Sequence, residues 1–225
     1  MPANRYFIPS PLTSPIALPK DELRHLKVVM RARAGDMLEV VNGEGVLAIC
    51  KVLPSYQLDI VETKITPPPP EMILAQGFIR PALLDWVIEK GTELGATGFW
   101  LFPGDLSEKN SISESHLERL KHLTISALKQ CGRLYLPTIE ILPPIKQWEK
   151  PPIPLFFGSL EPQAAVLTAK PPAIIAIGPE KGFSREDEVW LKEKLDGKGA
   201  KLNNGTLRAE TAAVCALSLL GREVL

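Results

Sequence analysis

The spacing of hydrophobic and polar positions divides the chain into two regions with different secondary structure. The first region is predicted to be mostly β, because Met37–Val41 and Val46–Cys50 are apolar runs and Tyr56–Val61 alternates apolar with polar residues. The Asn-Gly-Glu-Gly segment between the first two runs suits the positive φ angles of a hairpin turn. One helix interrupts the strands, with an apolar face predicted to consist of Leu23, Leu26, Val29 and Met30. These elements together predict a small barrel-like module.

In the second region, strand-like and helix-like segments alternate along the chain. The predicted strands are Met72–Ile79, Phe99–Phe102, Ile153–Phe157 and Ala173–Ile177, and a short strand is expected just before Leu202. The predicted helices are Pro81–Leu94, a segment ending at Gly132, a segment from Ser184 to about Leu195, and Glu210–Leu220. Alternation of this kind predicts an α/β domain with a largely parallel sheet.

Helix boundaries are indicated by particular residues. Pro81 suits the first helical position and Gly95 a C-terminal stop. Ser115 with Glu118 predicts a capping box for the next helix, and Ser184 predicts an N-cap. The buried face of the helix after Ser115 is predicted to comprise Leu117, Leu120, Leu123 and Leu128.

The run of four prolines after Thr66 is the clearest domain boundary. Consecutive prolines lack backbone N–H donors and favour an extended, rigid connection. We therefore expect a first domain over residues 1–66, a linker over 67–72 and a second domain over 73–225.

Composition restricts the class of protein. With 26 basic and 26 acidic residues, the formal net charge is zero, so any affinity for nucleic acid must come from a local basic patch. No segment resembles a signal peptide or reaches the roughly 20 apolar residues of a membrane helix. The three cysteines, Cys50, Cys131 and Cys215, have no metal-ligand spacing and indicate no disulfide framework. We expect a cytoplasmic protein that needs no metal and no membrane.

A local basic patch is present in the first region. Six basic residues cluster around its helix, against only Asp21 and Glu22: Lys20, Arg24, His25, Lys27, Arg31 and Arg33. Spacings of three and seven place Arg24, Lys27 and Arg31 on one predicted helical face. Any one of these residues could simply belong to a solvated surface, but the cluster on a neutral protein favours contact with phosphates.

Two segments near the C-terminus combine a strand end, a polar or glycine-rich turn and a helix start. They are Ile177–Ser184 and Leu202–Thr211. Gly178 and Gly182 lack Cβ atoms and permit close approach of a ligand to the backbone. Each turn alone is equally compatible with an ordinary strand-to-helix connection. Together they would lie at one edge of a parallel sheet, where α/β proteins bind ligands.

The chain resembles the ribosomal RNA small subunit methyltransferase E family of the SPOUT superfamily. The family's Ile-Gly-Pro-Glu-Gly-Gly-Phe-Ser string is matched from Ile177 to Ser184 except at Lys181, and its Leu-Arg-Thr-Glu-Thr-Ala string from Leu207 to Ala212 except at Ala209. Further matches occur in the same order along the chain, at Lys90, Thr92, Glu93, Leu94 and Gly95; at Gln130, Gly132, Arg133 and Pro137; and at His25, Leu26, Val29 and Arg31.

The resemblance implies an N-terminal PUA-like RNA-binding barrel and a C-terminal SPOUT α/β domain with a deep trefoil knot. It also implies a homodimer that uses S-adenosyl-L-methionine to methylate N3 of a uridine in 16S small-subunit ribosomal RNA, free or within the 30S particle. The implied RNA contacts are Arg24, His25, Lys27, Arg31, Arg33 and Arg133. The implied cofactor contacts are Phe157, Gly158, Ile177, Gly178, Pro179, Glu180, Gly182, Phe183, Leu202, Asn203, Thr206, Leu207 and Thr211.

Catalysis is expected to depend on Arg208. Uridine N3 holds a proton at neutral pH, and a fixed cation would stabilise the anion that develops during methylation. A structural ion pair of Arg208 with Glu210 or Glu180 is the alternative. Glu210 is a weaker candidate for assisting proton removal, and Cys131 is expected to be a buried thiol rather than a nucleophile.

Departures from the family pattern leave the substrate open. Lys181, Asn203, Gly205 and Ala209 replace family residues in the cofactor loops, and Gly104–Ser107 replaces a Thr-Glu-Arg-Ser string. Two alternatives are therefore kept: a SPOUT methyltransferase with another target such as transfer RNA, and an RNA-binding ribosome assembly protein that has lost its cofactor site.

Overall fold

The computed structural model describes residues 4–9 and 11–221, which form two compact units. The first unit comprises Met1–Pro69 and Ile125–Leu136, and the second comprises Pro70–Thr124 and Pro137–Leu225. The proline run lies at the first division between the units. The return of residues 125–136 to the first unit is not among the expectations from sequence.

A four-stranded sheet in the order β1-β2-β3-β4 forms the first unit. Strand β1 runs parallel to β2, whereas β2, β3 and β4 pair antiparallel, as the hairpin turn predicts. Its buried side chains include Tyr6, Leu26, Val40, Cys50 and Leu58. The elements are β1 (Arg5–Phe7), α1 (Lys20–Arg24), a π-helical turn (His25–Val29), β2 (Met37–Val41), β3 (Val46–Val52) and β4 (Leu58–Ile65).

The predicted apolar face of the first helix is wrong at two of its four positions. Leu26 is buried and Leu23 half-buried, but Val29 and Met30 are exposed. The π-helical turn widens the backbone from His25 onward, so later residues no longer follow the 3.6-residue period. Arg31 lies beyond the helix with a φ of 50°, and the shared face predicted for Arg24, Lys27 and Arg31 is therefore also wrong.

The second unit is built on a seven-stranded sheet in the order β7-β6-β5-β10-β8-β11-β9, and every pairing is parallel. This confirms the α/β class, and the strand order is consistent with the expected knot. The strands are β5 (Met72–Gly77), β6 (Gly98–Phe102), β7 (Thr138–Ile141), β8 (Leu155–Gly158), β9 (Ala165–Val166), β10 (Ala173–Ile177) and β11 (Lys198–Lys201). The helices are α2 (Pro81–Leu94), α4 (Arg185–Glu193) and α5 (Ala209–Leu220), with a 3₁₀ turn at Ile145–Gln147, and α3 (Glu114–Cys131) begins in this unit and continues into the first at Ile125.

Apolar side chains cover both faces of this sheet. Alternate residues of β10 point to opposite faces, so Ile175 packs with α2 and α5 while Ile174 packs with α4. A strand that is buried on both sides reads as a continuous apolar run, which explains why β10 is predictable from sequence.

Helix ends follow the sequence signals, with one exception. Pro81 occupies the first turn of α2, and Gly95 ends it with a φ of 102°. The cap of α3 is wrong by two residues, because Ser113 rather than Ser115 accepts the backbone N–H of His116 at 3.2 Å. Gly132, with a φ of 89°, follows the last residue of α3 as predicted.

Candidate functional site

The site lies where three adjacent strands of the parallel sheet end. Strand β8 pairs with both β10 and β11, so their carboxyl ends meet at one edge. The turn after β10 leads into α4 and the turn after β11 leads into α5. The sheet therefore brings together the two turns that the sequence singles out, in the position where α/β sheets bind ligands.

These turns enclose a cavity of about 320 Å³. Its size falls within the range of small-molecule sites, roughly 300–1,000 Å³. Eleven of the thirteen residues expected to contact a cofactor line it: Gly158, Ile177, Gly178, Pro179, Glu180, Gly182, Phe183, Leu202, Asn203, Thr206 and Leu207.

Phe157 and Thr211 do not line the cavity. The ring of Phe157 is fully buried in the core and meets the ring of Phe183 edge-on, with the centroids 6.0 Å apart. Phe157 thus supports a cavity residue from behind. Thr211 is exposed in the first turn of α5, on a different side of the helix from the lining residues Ala209 and Ala212.

The turn after β10, residues 178–184, is the first of the two cavity loops, and it leaves no room for a side chain at Gly178. A Cβ atom there would lie 2.8 Å from the carbonyl carbon of Gly182 and 2.9 Å from the nitrogen of Phe183. Gly182 has a φ of 77° and donates its N–H to the Pro179 carbonyl at 2.8 Å. Both glycines are therefore required by the backbone path of the loop.

Gln76 of β5 stabilises this loop by a side-chain hydrogen bond to its backbone. Its side chain is fully buried, and Nε2 donates to the carbonyl of Gly77 at 2.9 Å and to that of Gly178 at 3.2 Å. The other amide atom, Oε1, has no partner within the described residues. The periodicity of the sequence predicts only that Gln76 belongs to a strand. Its contact with the Gly178 loop could not be predicted from it.

Replacing Gln76 with leucine is expected to destabilise the protein by about 1–3 kcal/mol, because two carbonyls lose a buried donor. The Gly178 loop should also loosen, raising the dissociation constant of the cofactor several-fold. Urea denaturation and calorimetry with S-adenosylhomocysteine measure the two effects. The matched control is Gln147→Leu at an exposed position, and equal behaviour of the two variants would contradict the role of Gln76.

The turn after β11, residues 202–208, is the second cavity loop, and hydrogen bonds to its own polar groups stabilise its conformation. Asn203 accepts the N–H of Gly205 on its side-chain oxygen at 3.1 Å, and the thiol of Cys215 lies 3.5 Å from the Leu202 carbonyl. A Cβ atom on Gly205 would meet nothing within 4 Å, so the replacement of a family arginine by glycine leaves open space there.

Arg208 is the N-cap residue of α5, and its side chain is exposed. Within residues 4–9 and 11–221 it forms no ion pair, and Glu180 instead pairs with Arg80 at 3.7 Å. Neither Arg208 nor Glu210 lines the cavity, but Leu207 and Ala209 on either side of Arg208 do. Within the described residues, Arg208 is therefore an unpaired cation next to the cavity wall, beside the positive end of the α5 dipole.

Seven lining residues are not among the expected contacts: Ser159, Leu160, Lys181, Glu188, Gly205, Ala209 and Ala212. Lys181 is exposed and contributes to the wall without filling the cavity. The spacing of three between Ala209 and Ala212 indicates one face of α5 and could have been read from the sequence. Nothing local in the sequence marks Glu188, which α4 brings to the wall.

The start of α4 is fixed by a capping box between Ser184 and Asp187. Burial raises the pKa of the Asp187 carboxyl above its ordinary value. The Ser184 hydroxyl also donates to Asp105 at 2.8 Å, and hydrogen bonds from Lys146 and Ser184 lower the pKa of that carboxyl. These bonds fix the end of the first cavity loop.

The expected RNA contacts of the first unit are largely solvent-facing. Arg24, His25, Lys27, Arg31 and Arg33 are all exposed. The ammonium of Lys27 lies 4.4 Å from the centre of the Tyr56 ring, and the His25 ring lies 5.8 Å from that of Tyr6. Arg133 differs, since it is half-buried and burial lowers the pKa of its guanidinium.

The cavity has the chemical groups that a nucleoside cofactor with charged substituents requires. Ile177, Leu202 and Leu207 supply apolar surface for an aromatic base. Ser159, Asn203 and Thr206 supply hydroxyl and amide groups, and carboxylates come from Glu180 and Glu188. Within the described residues no cluster of histidine, cysteine or acidic side chains could hold a metal ion.

Fold and site together define a ligand-binding α/β protein of the parallel-sheet class. Residues 66–221 match the family model described as an RNA methyltransferase domain, and residues 18–55 match an RNA methyltransferase PUA domain. The chain therefore belongs to the RNA methyltransferase family, and the resemblance to the small subunit methyltransferase E family is confirmed.

Relatives extend along almost the whole chain. Ribosomal RNA small subunit methyltransferase E of Aquifex aeolicus is 29% identical over 221 residues, covering 91% of this chain and 93% of the relative. The Bacillus subtilis enzyme of the same name is 27% identical over 226 residues, covering 89% and 87%. The structure of the Neisseria gonorrhoeae enzyme bound to S-adenosyl methionine shares the fold, with a TM-score of 0.82, 24% identity and coverage of 96% and 95%.

Proposed function

We propose that this protein transfers a methyl group from S-adenosylmethionine to N3 of a uridine in small-subunit ribosomal RNA. The observation that carries the proposal is the cavity formed jointly by the turns after β10 and β11, within the segment that matches the RNA methyltransferase model. The names of full-length relatives support small-subunit ribosomal RNA as the substrate, and the bound ligand of the gonococcal structure supports the cofactor.

The cavity residues fit such a cofactor in a specific way. Leu202 and Leu207 would pack on the adenine ring, and backbone groups of Gly178 and the second loop would recognise its edge. Lys181 would pair with the carboxylate of the amino-acid tail, while Glu180 or Glu188 would face its ammonium. The cofactor supplies an electrophilic methyl group on a positively charged sulfur.

Methyl transfer then requires the protein to stabilise the negative charge that develops on the uracil ring. The bound cofactor would supply the methyl group to uridine N3, and N3 would give up its proton to solvent water as the uracil ring takes on negative charge. Arg208 stabilises the negative charge that develops on the uracil ring, and the positive end of α5 adds to its effect. An exposed cation without an ion-pair partner at a helix N-terminus is unfavourable alone and is explained by an anionic partner.

The first unit would contribute RNA affinity rather than chemistry. Its exposed basic residues fit contacts to phosphates, which position an RNA without reading its sequence. Family resemblance further leads us to infer a homodimer acting in the cytoplasm, on RNA or on the small ribosomal subunit. Within the described residues, no helix is long and apolar enough to cross a membrane.

Lys181 motivates the competing proposal of an assembly protein without a functional cofactor site. If Lys181 obstructed the cavity, Lys181→Gly should raise affinity for S-adenosylhomocysteine more than tenfold. We expect instead a change of less than about fivefold, and toward weaker binding, since one surface ion pair contributes about 1 kcal/mol or less. Calorimetry on both proteins measures the difference, and undetectable binding to the unchanged protein would favour the assembly role.

Mass mapping of RNA from cells lacking the protein tests the target. We expect one 3-methyluridine to disappear from small-subunit ribosomal RNA and to return when the gene is restored. An unchanged small-subunit signal with a modification lost from transfer RNA would move the proposal to a different substrate. The same comparison with Arg208→Ala in place of the gene separates loss of chemistry from loss of the protein.

A further inference from the structure

A second cavity of about 450 Å³ lies in the second unit, at the same edge of the parallel sheet. Its residues follow the ends of β5 and β6 and include the starts of α2 and α3. None of them is among the residues expected to bind cofactor or RNA. The lining residues are Phe78, Ile79, Pro81, Leu84, Lys109, Asn110, Ser111, Ile112, Ser113 and His116.

The walls of this second cavity divide into an apolar and a polar part. Phe78, Ile79 and Leu84 belong to the buried core behind the apolar wall, and Pro81 and Ile112 present its accessible carbon atoms. The polar wall is the rest of the segment 109–113, which offers a lysine ammonium, an amide and two hydroxyls, and all of these side chains are exposed. A flat apolar group with a polar or anionic substituent fits this division.

The ionisable side chains that line the second cavity are Lys109 and His116, whereas Glu108 and Glu114 flank the segment in sequence and do not line it. Asp85, the carboxylate bonded to His116, is bound on both oxygens, by His116 at 2.9 Å and by Arg119 at 2.7 Å. Lys109 forms no ion pair among the residues that the structure describes. The cavity therefore combines an unpaired cation with a carboxylate that is already neutralised, which favours an anionic ligand.

Direct contacts connect the two cavities. Glu180 lines the first cavity and accepts the backbone N–H of Arg80 at 2.9 Å, next to Pro81 of the second. On the other side, a Cβ atom on Gly104 would lie 3.1 Å from the Pro179 ring, and the Ser107 hydroxyl donates to the Phe78 carbonyl at 3.3 Å. A ligand in the second cavity would therefore be a close neighbour of one in the first.

We propose that the second cavity binds a single unpaired RNA nucleotide adjacent to the one that is methylated. Its base packs on Pro81 and Ile112, and its phosphate is bound by Lys109 and the hydroxyl of Ser111. Single-stranded RNA is recognised in this way, by splayed bases on apolar or aromatic surfaces and by cations along the backbone. The inference rests on the proposed function, because it assumes an RNA substrate.

Two variants test the subsite without touching the cofactor cavity. Ser111→Phe fills the second cavity from its exposed wall, and Lys109→Ala removes the cation. Each is expected to raise KM for unmethylated small subunits about tenfold, since one stacked base or phosphate contact has that effect. The dissociation constant of S-adenosylhomocysteine should not change. The matched control is Lys150→Ala, an exposed lysine paired with Asp196, which should leave KM unchanged.

Ultraviolet cross-linking of the unchanged protein to small-subunit RNA, followed by peptide mass spectrometry, gives a readout that does not need methyl transfer. Cross-links within residues 109–116 are expected. Their absence, with KM unchanged in both variants of an active enzyme, would overturn the subsite and leave the proposed function intact. Cross-links in this segment from a protein that transfers no methyl group would instead support the subsite and contradict the proposed reaction.

Discussion

Arg208→Ala is expected to lower kcat for methyl transfer about 100- to 1,000-fold, the usual effect of removing one preorganised group that stabilises developing charge. Cofactor affinity should change less than about threefold, because Arg208 does not line the cavity. The side chain is exposed and has no ion pair within the described residues, so stability should stay within about 0.5 kcal/mol. Single-turnover assays, calorimetry and thermal denaturation measure the three quantities.

The pH profile distinguishes charge stabilisation from a structural role of Arg208. At high pH the uridine ionises in solution, which partly replaces what Arg208 contributes, so the defect of Arg208→Ala should shrink as pH rises. Arg208→Lys keeps the charge but not the planar guanidinium and should show an intermediate defect. The matched control is Arg185→Ala, an exposed arginine at the start of α4. A pH-independent defect, or full activity in Arg208→Ala, would refute the catalytic assignment.

Gly178→Ala is expected to abolish measurable cofactor binding, with a loss of affinity of about 100-fold or more. The added methyl group would lie 2.8 Å from Gly182 and 2.9 Å from Phe183, and both contacts are with backbone that cannot rotate away. The loop must shift, and overpacking of this kind also costs about 1–3 kcal/mol of stability. Calorimetry below the unfolding temperature separates loss of the site from loss of the fold.

Gly205→Ala is the matched control for Gly178→Ala. Both glycines line the same cavity, but a Cβ atom at Gly205 would meet nothing within 4 Å. We expect its cofactor affinity to stay within about threefold of the unchanged protein. Equal losses in the two variants would show that binding does not depend on the path of the first loop.

Much of the second unit could be predicted because its central elements carry strong signals. The five apolar residues of β10 are buried on both faces, and Pro81 and Gly95 mark the ends of α2. The strands that were not predicted lie toward the edges of the sheet and have no continuous run of buried apolar residues. Strand β9 has two exposed residues, and the β7 strand Thr138–Ile141 has no buried side chain.

Other features were unpredictable because they depend on the folded backbone. The π-helical turn at His25–Val29 changes which side chains are buried, and no residue type within it predicts a π-helical backbone. Ser113 rather than Ser115 caps α3, and because both are serines, residue type alone does not select between them.

The cofactor loops could be read from sequence because glycine is required at Gly178 and Gly182 for local reasons. The support from Gln76 could not be read, since 102 residues separate it from Gly178. The second cavity was missed for the same reason: its two walls come from segments that only the parallel pairing of β5 with β6 brings together.

Transfer of radioactive methyl from labelled S-adenosylmethionine to unmethylated small ribosomal subunits tests the central claim most directly. The subunits would come from cells lacking this protein, with transfer RNA from the same cells as a parallel substrate. We expect label in small-subunit RNA only, recovered after nuclease digestion as 3-methyluridine at a single position. Absence of label, or label in transfer RNA or in a different nucleoside, would contradict the account.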